Sequence, residues 1–202
     1  MSEPAEQRSA NRLVLPLVAF LFGVIGLGVA AYVVLAPGQP KITAAAVGGP
    51  FRLVDQDGKP VTEAALKGKP SLIFFGFTHC PDVCPTTLQD VTQVYDALGS
   101  KADQLNSYFI SVDPERDTPE LLKTYLSSFD KRIVGLTGDR AAVDAATKAY
   151  RVYSRKVPLE KGDYTMDHTA LVYLMDKSGQ FVGAFNLQRP PADSAKDIAR
   201  YF

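Results

Sequence analysis

The sequence predicts a three-layer α/β sandwich preceded by a single N-terminal membrane-spanning helix. Three observations lead there: an uncharged apolar block near the N-terminus, strand-like apolar runs alternating with amphipathic helical segments, and a closing pair of strands near the C-terminus. In the 202 residues, 22 basic and 22 acidic groups cancel, which supports neither a basic nucleic-acid binder nor an acidic disordered tail. The chain carries no DNA- or RNA-binding motif.

Residues 13–35 (LVLPLVAFLFGVIGLGVAAYVVL) run for 23 residues without a charge. As a helix they reach about 34 Å, enough for a hydrocarbon core of about 30 Å. The run exceeds the roughly 7–15 apolar residues of a signal peptide, and Ala30, Ala31 and Ala36 make only a loose cleavage site. Arg8 and Arg12 precede it, so residues 1–12 are expected to be a cytoplasmic tail, with the remainder exported. That tail is too short and too acidic for a mitochondrial presequence, which favours a bacterial inner membrane with the C-terminal domain in the periplasm. Residues 36–50, rich in Ala and Gly, read as a linker, and residues 51–202 as one domain.

Within that domain, residues 51–54 and Val61 flank the turn DQDGK and predict an N-terminal hairpin. Residues 71–77 (SLIFFGF) form the continuous apolar run of a buried central strand. A helix is predicted from Pro85 to Leu98, with Leu88, Val91, Tyr95 and Leu98 at helical spacing and Gly99 as its stop. Residues 107–113 form a second strand. Thr118 caps a helix with Pro119 at its first position and Leu122, Tyr125, Leu126 and Phe129 on its inner face. The strand IVGL, a helix at 140–150, the hairpin ALVYLMD and QFVGAF, and a last helix from Ala192 complete the series. Helix-linked strands closed by a hairpin make the sandwich thioredoxin-like in type.

The chemistry is concentrated in residues 78–85 (THCPDVCP), between the central strand and its helix, which hold both cysteines of the chain. A disulfide across so short a loop constrains the unfolded chain little, and the C-terminal end of a strand is where α/β sheets place ligands. On one regular helix face the two Cβ atoms would lie about 5–6 Å apart, beyond the roughly 3.5–4.5 Å of a disulfide. Pro81 and Pro85 each push the preceding cysteine out of helical geometry, so a loop is expected, with the helix starting at Pro85. Such a loop permits either a Cys80–Cys84 disulfide or two thiolates around one ion. The helix N-terminus is expected to lower the thiol pKa values.

Two thiolates suit a soft ion such as Cu(I), and a histidine adds a donor that also suits Cu(II). The histidines are His79 and His168. His79 adjoins Cys80 and reads as a surface neighbour rather than a ligand, whereas His168 precedes an apolar strand on the edge where loops meet the cysteines. Asp167 is a candidate to orient that imidazole, and an ordinary turn aspartate explains it equally well.

The segments FTHCPDVCPTTL, SVDPERDTPE and DHTALVYLMD, in that order behind one anchor, resemble the Sco/SenC family of copper-binding proteins over nearly all of the exported domain. The resemblance implies copper ligands at Cys80, Cys84 and His168. It also implies a chaperone for the dinuclear copper centre of cytochrome c oxidase subunit II, with thiol–disulfide activity on that subunit's cysteines. A periplasmic copper donor and a thiol reductant are the further expected partners. The competing reading is a membrane-tethered thiol–disulfide oxidoreductase that prepares the client's cysteines for metallation.

Neighbouring classes fit less well. The Trp-Cys-x-x-Cys of a general dithiol oxidoreductase is missing, and Asp167, His168 and Thr169 stand where thioredoxin has its proline. Aligned on Cys80, a peroxiredoxin signature would need proline and threonine where Ile73 and Phe77 stand. Structural zinc needs a fourth ligand. Residues 113–117 (DPERD) follow a strand and are candidates to shape the neighbouring loop or dock a partner; a capped, solvated turn explains them equally well, and they are assigned no catalytic role. The basic stretch Arg151, Arg155, Lys156 and Lys161, with Tyr150, Tyr153 and Tyr164, reads as a solvated surface loop in preference to a contact for an acidic partner face, and Met166 as core packing or a flexible lid in preference to a thioether ligand.

Overall fold

The computed structural model describes residues 47–202, together with Pro16, residues 18–29 and Tyr32 of an N-terminal helical stretch. Much of the predicted anchor and linker thus lies outside the described residues. Among those described, no helix is long and apolar enough to cross a membrane.

The apolar run at 71–77 forms β3 (Ser71–Gly76), in which every residue is buried. It needs an apolar side chain on both faces because it lies inside a seven-stranded sheet with layers above and below. β3 pairs in parallel with β4 (Asn106–Ser111) and antiparallel with β8 (Val172–Met175). Successive side chains serve opposite layers. The Phe74 ring lies 5.9 Å from Phe109, which in turn meets Tyr125, whereas Phe75 turns the other way, 5.5 Å from Tyr150 and 6.0 Å from Tyr173.

The remaining strands extend the sheet on either side. β1 (Arg52–Asp55) and β2 (Pro60–Thr62) form the expected hairpin, and β1 also pairs antiparallel with β5 (Ile133–Thr137), itself parallel to β4. β9 (Phe181–Phe185) closes the far edge against β8, giving the order β2-β1-β5-β4-β3-β8-β9. The β8–β9 turn is built by Asp176, whose Oδ1 accepts from the amides of Ser178 and Gln180, and by Gly179 at φ 78°.

Helix α1 (Val83–Leu98) buries Leu88, Val91, Val94, Tyr95 and Leu98 and packs against α4 (Pro191–Ile198). Helix α2 (Pro119–Leu126) starts as its sequence dictates, with Thr118 Oγ1 accepting from Leu121 N at 3.3 Å and Pro119 in the first turn. Helix α3 (Arg140–Ala149) is capped by Asp139, whose Oδ1 accepts from Ala142 N at 2.7 Å.

Two expectations are corrected. Helix α1 begins at Val83, so Cys84 lies in its first turn and only Cys80 is in the loop. The first four amides of a helix have no intrahelical acceptor, so Pro85 at the third position removes a donor that has no partner to lose. The stretch read as a surface loop is a second sheet, β6 (Ser154–Pro158) paired antiparallel with β7 (Tyr164–His168) in a register that sets Ser154 opposite His168. β6 has no buried residue, so the period-two pattern that marks a strand is absent from its sequence.

Because Phe75 is fully buried between strand neighbours and Tyr150, Phe75→Ala is expected to lower the unfolding free energy by about 3–5 kcal/mol in urea titration. A loss below about 1 kcal/mol would contradict this packing.

Candidate metal centre

The cysteine loop begins where β3 ends. Cys80 N donates to the carbonyl of Phe77 at 3.2 Å, closing a turn that carries Cys80 to the start of α1. Cys84, at the second helical position, is fully buried, and its amide donates to Cys80 Sγ at 3.4 Å. Asp82, the N-cap, makes no side-chain hydrogen bond, so the sulfur of Cys80 caps a first-turn amide in its place. Gly76 makes room for this arrangement: a Cβ there would meet the Phe109 ring at 2.6 Å and Cys84 Sγ at 2.8 Å. Both cysteines are free thiols.

The same loop is held from the side by Asp117. This buried carboxylate accepts from Thr78 N at 3.1 Å, Thr78 Oγ1 at 2.6 Å and Ser111 Oγ at 2.6 Å. Burial pushes its pKa above the usual carboxylate range, and the hydrogen bonds from Ser111 and Thr78 oppose that rise. His79 is exposed, and its Nδ1 lies 3.0 Å from Thr78 Oγ1. That hydroxyl already donates to Asp117, so the imidazole is the donor in this pair.

His168 arrives from the end of β7. Its ring packs edge-on against Phe77, with centroids 5.7 Å apart, and against Phe74 at 6.5 Å. Nδ1 lies 3.0 Å from the carbonyl oxygen of Thr169, which can only accept, so Nδ1 carries the proton. Nε2 is then left with its lone pair, facing Cys84 Sγ at 4.0 Å. Asp167, the neighbour considered as an orienting group, is exposed and lies 3.7 Å from Arg155. The hydrogen bond that orients His168 comes from Thr169 instead. Met166 is buried in the core.

Burial governs the protonation of both groups. It pushes the Cys84 thiol well above its ordinary range, against the expectation that the helix N-terminus would lower it. It also holds His168 below 6.5, despite opposing contributions from the Thr169 carbonyl and Asp167. At neutral pH the pair is therefore a thiol beside a neutral imidazole. With bonds typical of a d10 ion, about 2.3 Å to sulfur and about 2.0 Å to nitrogen, one ion bridges donors up to about 4.3 Å apart. The 4.0 Å separation fits within that span. Among the described residues no three His, Cys, Asp or Glu side chains form a finished coordination shell; the metal-free arrangement brings sulfur and nitrogen together as a pair.

The SCO1/SenC family profile matches residues 39–202, which include the whole of this site. The chain belongs to the SCO1/SenC family. The SCO2-like protein of Rickettsia prowazekii is 38% identical over 190 residues, covering 88% of this chain and 90% of the relative. The human mitochondrial SCO1 homologue is 42% identical over 158 residues, covering 77% of this chain and 52% of that protein, so the chain spans about half its length. The thioredoxin-like fold is that of the solved Sco structures. Bradyrhizobium japonicum ScoI with copper bound superposes with a TM-score of 0.76 at 60% identity, over 78% of this chain and 100% of that one. BsSco, described with a disulfide switch and as a member of the Sco family of cytochrome c oxidase assembly proteins, gives a TM-score of 0.61 at 27% identity, over 78% of this chain and 94% of that one.

Of the residues singled out in the sequence, the structure sets Cys80 beside Cys84 and His168 within 4.0 Å of Cys84 Sγ; the sequence named Thr78 only as part of the cysteine segment and Asp117 only as a candidate to shape the neighbouring loop, and it gave no role to Gly76 or Ser111. The one available signal was the pair of aspartates in DPERD directly after a strand, which a solvated turn explains as readily.

Because burial lowers the His168 pKa, the neutral ring stabilises the metal-free fold fully above about 6.5, and that contribution is lost as pH falls through the lower folded value. The metal-free protein is expected to lose more unfolding free energy between pH 7.5 and pH 5 than a His168→Gln variant. Parallel urea-stability curves for the two proteins would contradict this burial.

Proposed function

We propose that this chain carries one copper ion on Cys80, Cys84 and His168 and delivers it to the dinuclear copper centre of cytochrome c oxidase subunit II. The observation that carries the reading is the free Nε2 lone pair of His168 set 4.0 Å from Cys84 Sγ, across 84 residues of sequence. Copper in the Bradyrhizobium relative and the assembly role of BsSco support cargo and client. Two thiolates and an imidazole suit Cu(I), and the imidazole extends the set to Cu(II).

Loading displaces the thiol protons of Cys80 and Cys84 to solvent, since the thiolate is the ligand form. The cargo then leaves by exchange, as the client's sulfur and nitrogen donors replace Cys80, Cys84 and His168 in turn. Oxidation to a Cys80–Cys84 disulfide sends two electrons and two protons to an oxidant and removes both thiolate donors, so a thiol reductant is required for reloading. A periplasmic copper donor supplies the ion, and residues 13–35 hold the domain at the bacterial inner membrane.

A second reading is favoured by the contact between the Cys84 amide and Cys80 Sγ, which keeps the two cysteines adjacent. In it the chain is a membrane-tethered oxidoreductase that reduces the client's cysteines, and its signature is turnover without copper.

Reduced protein is expected to retain one Cu(I) per chain after desalting, and disulfide-oxidised protein none. His168→Ala is expected to keep dithiol chemistry while losing Cu(II) affinity by at least about tenfold, as removal of the one nitrogen ligand implies. Equal Cu(II) affinity in wild type and His168→Ala would overturn the ligand assignment, and copper-independent turnover on a disulfide client would favour the second reading.

A further inference from the structure

We propose that the turn at 113–117 is a two-armed brace that sets the distance between the cysteine loop and the hairpin carrying His168. The proposal rests on the copper-site reading above and deepens it by assigning positioning residues. The turn is rigid in itself: the amides of Arg116 and Asp117 both donate to the Asp113 carbonyl, at 3.1 Å and 2.9 Å, and Asp113 N donates to Ser111 Oγ at 3.0 Å. Asp113 and Asp117 are both fully buried, unlike the aspartates of a solvated turn.

One arm reaches the cysteines. Asp117 takes both the amide and the hydroxyl of Thr78, two residues before Cys80, and its own carbonyl accepts from Thr137 Oγ1 on β5 at 2.8 Å. The other arm reaches the β6–β7 hairpin. Tyr164 OH donates to Asp113 Oδ1 at 2.9 Å, Arg116 Nη1 donates to the Tyr164 carbonyl at 2.9 Å, and the Arg116 guanidinium lies 3.8 Å over the Tyr164 ring. Arg116 Nε is itself fixed by Asp113 Oδ2 at 2.6 Å, and Glu115 pairs with Lys156 of β6. Tyr164 opens the strand that His168 ends. β6 buries no residue and β7 buries only Met166, so these polar contacts share with that one side chain the work of placing the hairpin.

A brace of this kind acts selectively. The two thiolates supply most of the affinity for soft Cu(I), with the imidazole as a third donor, whereas Cu(II) binding depends on the imidazole. Loosening the hairpin arm therefore weakens Cu(II) binding through His168 and leaves Cu(I) binding nearly unchanged.

The test measures Cu(II) and Cu(I) affinity of the full chain by chelator competition, in Arg116→Gln and Tyr164→Phe, each alone and combined with His168→Ala. Arg116→Gln is expected to weaken Cu(II) binding by about tenfold and Tyr164→Phe by about threefold, with Cu(I) affinity changed less than about twofold. Neither has any further effect in the His168→Ala background. An unchanged Cu(II) affinity in natively folded Arg116→Gln, or an equal loss in both backgrounds, overturns the brace. If Arg116→Gln lacks a native circular dichroism spectrum, Tyr164→Phe decides by the same criteria. Should His168→Ala alone leave Cu(II) affinity unchanged, the copper-site reading fails instead.

Discussion

Cys84 packs on the last residue of β3, and the missing side chain of Gly76 is what lets it do so. Helix α1 can then start immediately beside the sheet, burying one thiol and leaving the other, Cys80, at the mouth of the loop. The aromatic pair Phe74 and Phe77 forms the wall against which His168 settles. Moving the helix outward by the width of a methyl group would separate the sulfur from the imidazole, so the site's geometry descends from this single close approach.

The surroundings of the site are unusual for a protein interior, because two carboxylates lie buried within a few residues of each other. Burying a charge is costly unless hydrogen bonds compensate it. Asp117 receives donors from Thr78 and Ser111, and Asp113 from Arg116 and Tyr164. These contacts join segments that a purely apolar core would leave free to slide, and they end on the two chain segments that carry the proposed metal donors. The thiol and imidazole are themselves kept uncharged by burial, so the arrival of a cation replaces a proton rather than meeting a preformed charge.

Much of the fold was legible in the sequence because its signals are local. SLIFFGF is buried on both faces and reads as such, and Thr118-Pro119 caps a helix wherever it occurs. The start of α1 was misplaced because the restriction that proline imposes on its predecessor was weighted above the tolerance of a helix's first turn for proline. The β6–β7 hairpin was missed because β6 buries no side chain and β7 buries only Met166, with polar bracing doing the rest. Of the candidate site, the proposed donors stood out by residue type and spacing. Gly76 did not, and Asp117 stood out only as one member of a turn that also reads as solvated, since their roles arise only when β3, β4 and the DPERD turn are brought together, and nothing in a linear reading marks a glycine as a near contact of a cysteine eight positions on.

The central claim is that two sulfurs and one imidazole nitrogen share a single ion. X-ray absorption at the copper edge of the reduced, Cu(I)-loaded chain tests it most directly. The account predicts a first shell of two sulfur atoms and one nitrogen, with the outer-shell scattering of an imidazole, and loss of that nitrogen signal in His168→Ala. A shell of sulfur alone, identical in the wild type and the variant, would contradict it.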